Sequence, residues 1–179
     1  MEGDFDLVRK IRQGDMEAFE ELIRRYQKPI YSLAKRFVKN HYDADDLAQR
    51  VFLNAFRKIK DFRGESSLKT WLYSIAINLC RSHLRAQGKV IMKEAGSVLL
   101  YQESTTLQHL IDQEARQSLE EAIEKLPEKQ RLTLILRVYQ ELPFKEIGEI
   151  MSCSEGAAKV NFHHAINNLK KLVIRSERE

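Results

Sequence analysis

Three groups of polar side chains have types and spacings that could do chemistry. The first is the carboxylate cluster Asp43, Asp45 and Asp46, a composition that suggests a divalent-metal or acid–base site. These residues open an amphipathic run, however, and carboxylates at the start of a helix complement its dipole and cap free N–H groups. No His or further carboxylate is spaced for catalysis. The cluster therefore predicts helix capping and a charged docking face.

The second group is the pair His163 and His164, which raises the alternative of metal binding. Consecutive helical residues point about 100° apart, and no Cys or carboxylate stands four residues away on either side. The pair therefore favours hydrogen bonding over metal ligation. We expect no metal site, no cofactor and no catalytic residue in this chain.

The third group is a basic stripe, in which Arg81, Arg85 and Lys89 recur at i, i+4 and i+8. Tyr73 and Asn78 are predicted to lie upstream on faces that the apolar residues leave free, and the polar loop 62–67 precedes them. Basic groups neutralise phosphate, while aromatic and polar loop groups can hold unstacked bases. The combination indicates single-stranded DNA, although Trp71 alone would be read as core and the stripe alone as a solvated face.

Two short helices near the C-terminus are separated only by Ser152, Cys153 and Ser154. Gly148 permits a close approach of the helices, and Cys153 stands where the turn of a helix-turn-helix plugs an apolar residue inward. The second helix of such a motif can enter a major groove, although plain packing of two helices gives the same pattern. Its outward face would present side chains that can read base edges or phosphates: Lys159, His163, Asn167 and Lys170, flanked by Asn161 and His164.

Apolar residues at helical spacing predict the elements that position these groups. Asp15 is the expected N-cap of a first run reaching Phe37, which Pro29 should kink or break. A second helix begins near Asp43, and a third opens after Ser67. Helical pattern resumes at residue 110, with segments at 130–139, 144–151 and 155–175. The predicted fold is all-α, with an N-terminal helical bundle (1–88), a flexible linker (89–109) containing the apolar patch 98–101, and a C-terminal helix-turn-helix domain (110–179).

Composition agrees with a helical protein that meets a polyanion at two places. Only 7 Gly and 3 Pro occur among 179 residues. Residues 1–89 hold 18 Lys/Arg against 12 Asp/Glu, a net of +6, whereas residues 90–179 hold 12 against 14, a net of −2. Positive charge returns after Gly156. Two separated basic regions suit nucleic acid, although solvated helix faces explain them equally well.

Cysteine usage and hydropathy predict a cytoplasmic protein. Cys80 and Cys153 lie far apart and neither belongs to a C-x-x-C pair, so no disulfide framework or zinc ribbon is indicated. The acidic first residues lack the apolar run of a signal peptide. No stretch approaches the roughly 20 apolar residues that span a bilayer, so we expect no direct membrane insertion.

These blocks, in this order, resemble the extracytoplasmic-function group of bacterial sigma-70-type factors. Residues 43–53 are similar to the region 2.2 helix, which docks on the β′ clamp coiled coil of RNA polymerase. Residues 62–66 and 70–78 resemble regions 2.3 and 2.4, which melt the −10 element and capture an extruded base. Residues 126–131 resemble the opening of region 4, and residues 144–171 resemble its −35-reading helix-turn-helix.

The resemblance implies a sigma factor with no activity as an enzyme. Its partners would be core RNA polymerase (the β′ clamp coiled coil and the β flap), promoter DNA and an anti-sigma factor, with no small-molecule substrate. A membrane-bound anti-sigma factor would hold it at the inner membrane face. The implied polymerase-docking residues are Asp46, Gln49 and Phe52. Those for the −10 element are Phe62, Ser66, Ser67 and Asn78, with Arg81 and Arg85 supporting the strand, and those for the −35 element are Lys159, Asn161, His163 and His164.

The sequence departs from the family pattern at several positions. Arg50 stands where the family usually has Glu, which reverses a charge on the docking helix. In the recognition helix Ala157 and Ala158 replace the usual Thr-Val. Positions that are commonly basic carry Asn161, His164 and Ile166. Fewer permanent charges there should lower nonspecific attraction to phosphate.

Two other classes of function fit parts of this sequence pattern. A stand-alone helix-turn-helix regulator would need a self-associating surface for paired half-sites, and the sequence shows no convincing dimer seam. An enzyme acting on nucleic acid would need a His/Asp/Glu constellation at usable spacing, which is missing.

Overall fold

The computed structural model describes residues 3–38, 40–88 and 118–176. All regular structure in these ranges is helical, which confirms the predicted all-α class. The chain divides into two compact units, the first mainly within residues 1–96 and the second mainly within residues 97–179. The exact domain boundaries stay a prediction, and both the linker with its patch 98–101 and Lys89 lie outside the described residues. None of the described helices is long and apolar enough to cross a membrane.

The described part of the first unit consists of four α-helices and one short 3-10 turn. They are α1 (Asp4–Arg12), α2 (Met16–Lys35), α3 (His41–Lys58), the 3-10 turn Ile59–Asp61, and α4 (Leu68–Gly88). Helix α2 packs against both α3 and α4, and α1 packs against α2 and the 3-10 turn. One apolar face of each helix is buried, which is the arrangement that amphipathic spacing requires. The innermost side chains include Leu7, Leu22, Ile30, Leu33, Leu47, Leu72 and Ile77.

Helix α2 bears out one sequence prediction and corrects another. Its N-cap is Asp15, whose carboxylate accepts a hydrogen bond from the Ala18 N–H at 3.1 Å, as predicted. Pro29 was predicted to kink or break the run; it lies inside α2, so the predicted break is wrong. A proline removes only one intrahelical hydrogen bond. Burial of Ile30 and Leu33 on the following turn holds the helix together beyond it.

Helix α3 begins two residues earlier than the sequence analysis placed it. Its N-cap is Asn40, whose side-chain oxygen accepts from the Asp43 N–H at 2.7 Å. Asp43 therefore lies in the first turn and is not the cap. Its carboxylate accepts from the Asn40 side chain at 2.7 Å and lies 3.5 Å from the ring Nε2 of His83. The predicted role of these acidic residues as partners of the helix dipole fits this position.

Tyr73 is buried, which contradicts the prediction that it lies on a free face of α4. Burial raises the pKa of its hydroxyl to about 12. The reason is that α4 contacts both α2 and α3, so its buried arc is wide enough to include the neighbours Leu72 and Tyr73 and, one turn on, Ala76 and Ile77.

The described part of the second unit is also built from helices. They are α5 (described over residues 118–124), α6 (Glu128–Leu134, continued by a π-helical turn Ile135–Tyr139), α7 (Phe144–Met151) and α8 (Glu155–Ser176). A buried cluster joins α5, α6 and α8 and contains Ala122, Ile123, Leu126, Leu134, Ala165 and Leu169. A hydrogen bond of 2.8 Å from the Asn168 side chain to that of Gln130 further fixes α8 to α6.

Candidate nucleic-acid interface

The predicted −10 residues begin in residues 62–67, between the 3-10 turn and α4, a segment named the melting loop after the role that the resemblance predicts for it. Phe62 is buried, and its ring centroid lies 5.1 Å from that of Trp71. The Ser67 hydroxyl accepts from the Thr70 N–H at 3.0 Å and so caps α4. Ser66 is half-buried, and its hydroxyl donates a long hydrogen bond of 3.4 Å to the Ser67 carbonyl. Ser67 is the most exposed of the three predicted loop residues, but its hydroxyl is bonded to Thr70.

The other predicted −10 residues form a separate stripe on α4. Asn78 and Arg85 are exposed and Arg81 is half-buried. Their spacing of three and four residues puts them on one face, and the Arg85 Nε donates to the Arg81 carbonyl at 3.3 Å. Asn78 follows Ser67 by 11 residues, which is about 16 Å along a helix. Ser67 at the end of the loop and Asn78 in the stripe are therefore about three turns apart on α4.

The predicted polymerase-docking residues lie on α3 at different depths. Asp46 and Gln49 are exposed. The Asp46 carboxylate lies 3.5 Å from the guanidinium of Arg50, and the Gln49 amide donates to Asp45 at 2.8 Å. Phe52 is buried, so its ring supports the helix from beneath and offers little surface to a partner.

Two apolar residues of α3 that the sequence analysis did not select are exposed instead. Leu53 is 57% exposed and Phe56 is 46% exposed. Leu53 follows Asp46 by seven residues, and Phe56 follows Gln49 by seven residues. The four side chains therefore lie on one face of α3. We name Asp46, Gln49, Leu53 and Phe56 the docking stripe. Leu53 falls outside the buried register of α3, and that was the signal in the sequence that could have identified it.

The turn between α7 and α8 has the tight geometry expected of a helix-turn-helix. The Cys153 N–H donates to the Gly148 carbonyl at 2.9 Å. Ser152 adopts a φ of +54°, which turns the chain sharply. The Ser154 hydroxyl accepts from the Ala157 N–H at 3.1 Å and so caps α8. Cys153 is half-buried at this corner, so it is only partly covered where the motif predicts an inward-facing residue.

The predicted −35 residues are distributed around α8. Lys159, His163 and His164 are exposed, whereas Asn161 is half-buried. Asn161 follows Lys159 by two residues, which places the two about 200° apart on the helix. The Lys159 ammonium lies 2.7 Å from the Glu155 carboxylate, and a ring nitrogen of His163 shares a 2.9 Å hydrogen bond with the Asn167 amide. His163 and His164 therefore share the outer face, and Asn161 lies at its edge.

Val160 is the exposed residue of α8 that the sequence analysis missed. It is 56% exposed and precedes His163 and His164 by one turn. An apolar side chain on the outer face of a groove-reading helix can contact the methyl group of thymine. The signal for it was present, since Val160 breaks the apolar register set by Ala158 and Ala165.

Both units are similar to known protein families. Residues 22–90 match the family described as Sigma-70 region 2, and residues 116–169 match Sigma-70, region 4. The RNA polymerase sigma-H factor of Pseudomonas aeruginosa is 33% identical over 95% of this chain and 93% of its own length. The ECF RNA polymerase sigma-E factor of Escherichia coli is 35% identical over 94% and 95%. A solved structure of the sigma factor RpoE with the anti-sigma factor NepR from Bartonella quintana has a TM-score of 0.68 at 23% identity, covering 87% of this chain and 96% of that one.

Proposed function

This chain belongs to the extracytoplasmic-function sigma factors of the sigma-70 family, and we propose how its residues divide the work of promoter recognition. As a sigma factor it binds core RNA polymerase and directs promoter-specific initiation, which sets aside the stand-alone regulator. The observation that carries this function is the match to regions 2 and 4, in that order, together with relatives aligned over nearly the whole chain.

We assign polymerase docking to the docking stripe of α3. Asp46 and Gln49 supply polar contacts, and exposed Leu53 and Phe56 supply apolar area next to them. Central apolar side chains surrounded by polar groups are the usual composition of a protein–protein contact. Phe52, selected from the sequence, acts in this proposal by supporting α3 from the core.

We assign −10 recognition to the melting loop and the α4 stripe acting in succession. Ser66 and Ser67 lie at the start of α4, and Asn78 offers an exposed amide that can hydrogen-bond to the edge of an unstacked base. Arg85 and Arg81 follow on the same face and can neutralise phosphates of the strand. Phe62 remains part of the site as the buried ring that supports the loop on Trp71.

We assign −35 recognition to the outer face of α8. His163, His164 and Val160 are placed to meet base edges, since all three are exposed within one turn of each other. Lys159 is placed to meet a phosphate at the border of that face. Asn161, half-buried on the opposite border, is limited to a contact with the DNA backbone.

The remaining parts of the proposal concern regulation and location. The Bartonella quintana sigma factor was solved with an anti-sigma factor, and we propose an inhibitor of the same class for this chain, covering its DNA-binding and docking surfaces. We further propose that the protein is cytoplasmic, acts without a cofactor and performs no catalysis of its own. If the inhibitor is membrane-bound, it would hold the complex at the inner membrane face.

Transcription in vitro with bacterial core polymerase on a promoter library tests the function directly. The purified chain should bind core in the absence of DNA and should select promoters with two shared elements separated by a fixed spacer. A stand-alone regulator would instead bind an operator without core. Failure to bind core, even after removal of any co-purified inhibitor, would overturn the proposal.

A further inference from the structure

Helix α1, which the sequence analysis did not predict, is bonded to the segment that leads into the melting loop. At its C-terminal end, the Arg12 guanidinium donates through Nε to the Ile59 carbonyl at 3.2 Å. Its Nη2 donates to the carbonyl of Phe62. These carbonyls belong to the first residue of the 3-10 turn and to the residue that follows the turn, so one side chain joins α1 to both ends of the turn that leads into the melting loop.

The other end of α1 contacts the loop as well. A Cβ at Gly64 would lie 3.3 Å from a ring carbon of Phe5, so the Phe5 ring lies next to this glycine of the loop. Gly64 has a φ of +74°, a conformation that a side chain would strain. Phe5 is 77% exposed, so burial in the core does not account for its position.

Helix α1 is itself firmly held, so it can restrain what it touches. Leu7, Val8 and Ile11 are buried in the first unit. The Asp4 carboxylate accepts from the Arg25 guanidinium at 3.3 Å and from the Tyr26 hydroxyl at 3.1 Å. Phe5 and Arg12 are seven residues apart, about 10 Å along the helix, which is a span sufficient to reach both the 3-10 turn and the tip of the loop.

We propose that α1 is a positioning clamp for the melting loop, with Arg12 and Phe5 as positioning residues for −10 recognition. This inference rests on the proposed function. The clamp keeps the loop ordered before DNA arrives, and a binding loop that is ordered in advance loses less entropy on binding. Arginine suits the task because its planar fork presents donors in fixed directions to two carbonyls, whereas a lysine ammonium cannot hold both in the same geometry.

The test compares three variants of the full chain. Arg12→Gln removes the fork, Arg12→Lys keeps the charge but not the fork, and Arg9→Gln is the matched control. Arg9 lies on the same helix, where its side chain is 69% exposed and pairs with Asp6 at 3.0 Å. Hydrogen exchange of the loop amides is measured in the free protein. In the holoenzyme, affinity is measured for the non-template −10 oligonucleotide of the strongest promoter from the library, and opening is followed by permanganate reactivity.

Both Arg12 variants should exchange their loop amides faster and bind the oligonucleotide about three- to tenfold more weakly, as expected when one or two groups must be ordered on binding. Binding to core polymerase and the thermal midpoint should stay close to those of Arg9→Gln. If the Arg12 variants fail to fold, Phe5→Ala provides the same comparison, since its exposed side chain contributes little to the core.

Several results would overturn the clamp. Unchanged exchange in Arg12→Gln would show that the side chain does not restrain the loop. Faster exchange with unchanged oligonucleotide affinity would show that the restraint does not serve recognition. An equal loss of core binding and thermal midpoint would reduce Arg12 to a general structural role. By contrast, a wild-type holoenzyme that neither binds nor opens −10 DNA would overturn the proposed function, while the exchange data would still decide whether the clamp exists.

Discussion

The backbone carbonyl of Cys153 lies so close to Gly148 that a Cβ at residue 148 would stand 2.7 Å from its oxygen. Contacts this short do not occur between real Cβ atoms and backbone oxygens, and the backbone cannot swing aside as a flexible side chain would. The corner of the helix-turn-helix therefore depends on the absence of a side chain at one position of α7. The glycine at position 148 thus permits the tight turn that sets the direction of α8, the helix that carries the proposed −35 contacts.

Gly148→Ala should destabilise the second unit. Alanine in place of glycine within a helix would gain up to about 1 kcal/mol from propensity, but forcing an atom into a packed turn costs about 1–3 kcal/mol. We expect net destabilisation in chemical unfolding and weaker −35 binding. The control is Gly156→Ala in α8, where the nearest atom is the Ser154 hydroxyl at 3.9 Å, so its stability should be unchanged or raised. Equal effects of the two substitutions would contradict the close packing at Gly148.

Because Arg50 pairs with Asp46, we predict that removing the positive charge of Arg50 raises the affinity for core polymerase. Arg50 lies 3.5 Å from Asp46 and partly neutralises the carboxylate proposed to dock. Arg50→Gln should therefore tighten core binding about two- to fivefold, the range of an exposed ion pair of up to about 1 kcal/mol. Asp46→Asn should weaken it. The control is Arg24→Gln, which breaks a similar exposed pair with Glu21 on α2. Tighter binding in the control, or weaker binding of Arg50→Gln, would argue against docking through Asp46.

A second ion pair predicts the salt dependence of −35 binding. Lys159→Ala should reduce the slope of log affinity against log salt by about 1, because one phosphate contact is lost. Glu155 lies 2.7 Å from the Lys159 ammonium, so Glu155→Gln should release the lysine and raise affinity across DNA sequences. Glu120→Gln on α5 removes the same charge away from α8 and should change neither quantity. An unchanged slope in Lys159→Ala would remove this residue from the interface.

The sequence predicted the described helices other than α1 because their apolar spacing is regular, but it did not show how deeply each side chain is buried. Phe52 and Phe62 were selected as contact residues, and both are buried. A periodic pattern identifies the apolar face of a helix, yet it does not show which aromatic rings of that face another element will cover. Leu53 and Val160 show the opposite difference: they were not selected as contact residues, yet both are apolar and exposed at positions where the helical spacing predicts a polar residue.

Long-range contacts account for the other differences. Helix α1 is short, and the side chain that gives it a role, Arg12, bonds to carbonyls about 50 residues away. Spacing along the chain carries no information about such a bond. Tyr73 was misplaced for a related reason, because its burial depends on α4 contacting two other helices at once.

The two cysteines should differ sharply in reactivity. Cys80 is buried, and burial raises the pKa of its thiol to about 12, whereas Cys153 is half-buried at the helix-turn-helix corner. Because a raised pKa favours the thiol, Cys80 at pH 8 would be ionised to roughly one part in 10⁴, and the thiolate is the reactive form. Iodoacetamide should label Cys153 first in mass spectrometry, and both only in denaturant. Native Cys153→Ser should stay unlabelled, so rapid labelling of that variant would contradict the burial of Cys80.

The resemblance assigned Phe62 and Asn78 to the same −10 element, but the packing of Phe62 on Trp71 predicts that substitutions at the two positions have different effects. Phe62→Ala should lower the free energy of unfolding by about 3 kcal/mol, because it empties a buried site, and any loss of promoter opening would follow from that. Asn78→Ala removes an exposed amide and should leave stability and core binding unchanged while it suppresses opening. Chemical unfolding and permanganate reactivity at the −10 element measure the two effects. Normal reactivity in Asn78→Ala would withdraw this residue from base capture, and a Phe62→Ala variant of wild-type stability would place its ring outside the core.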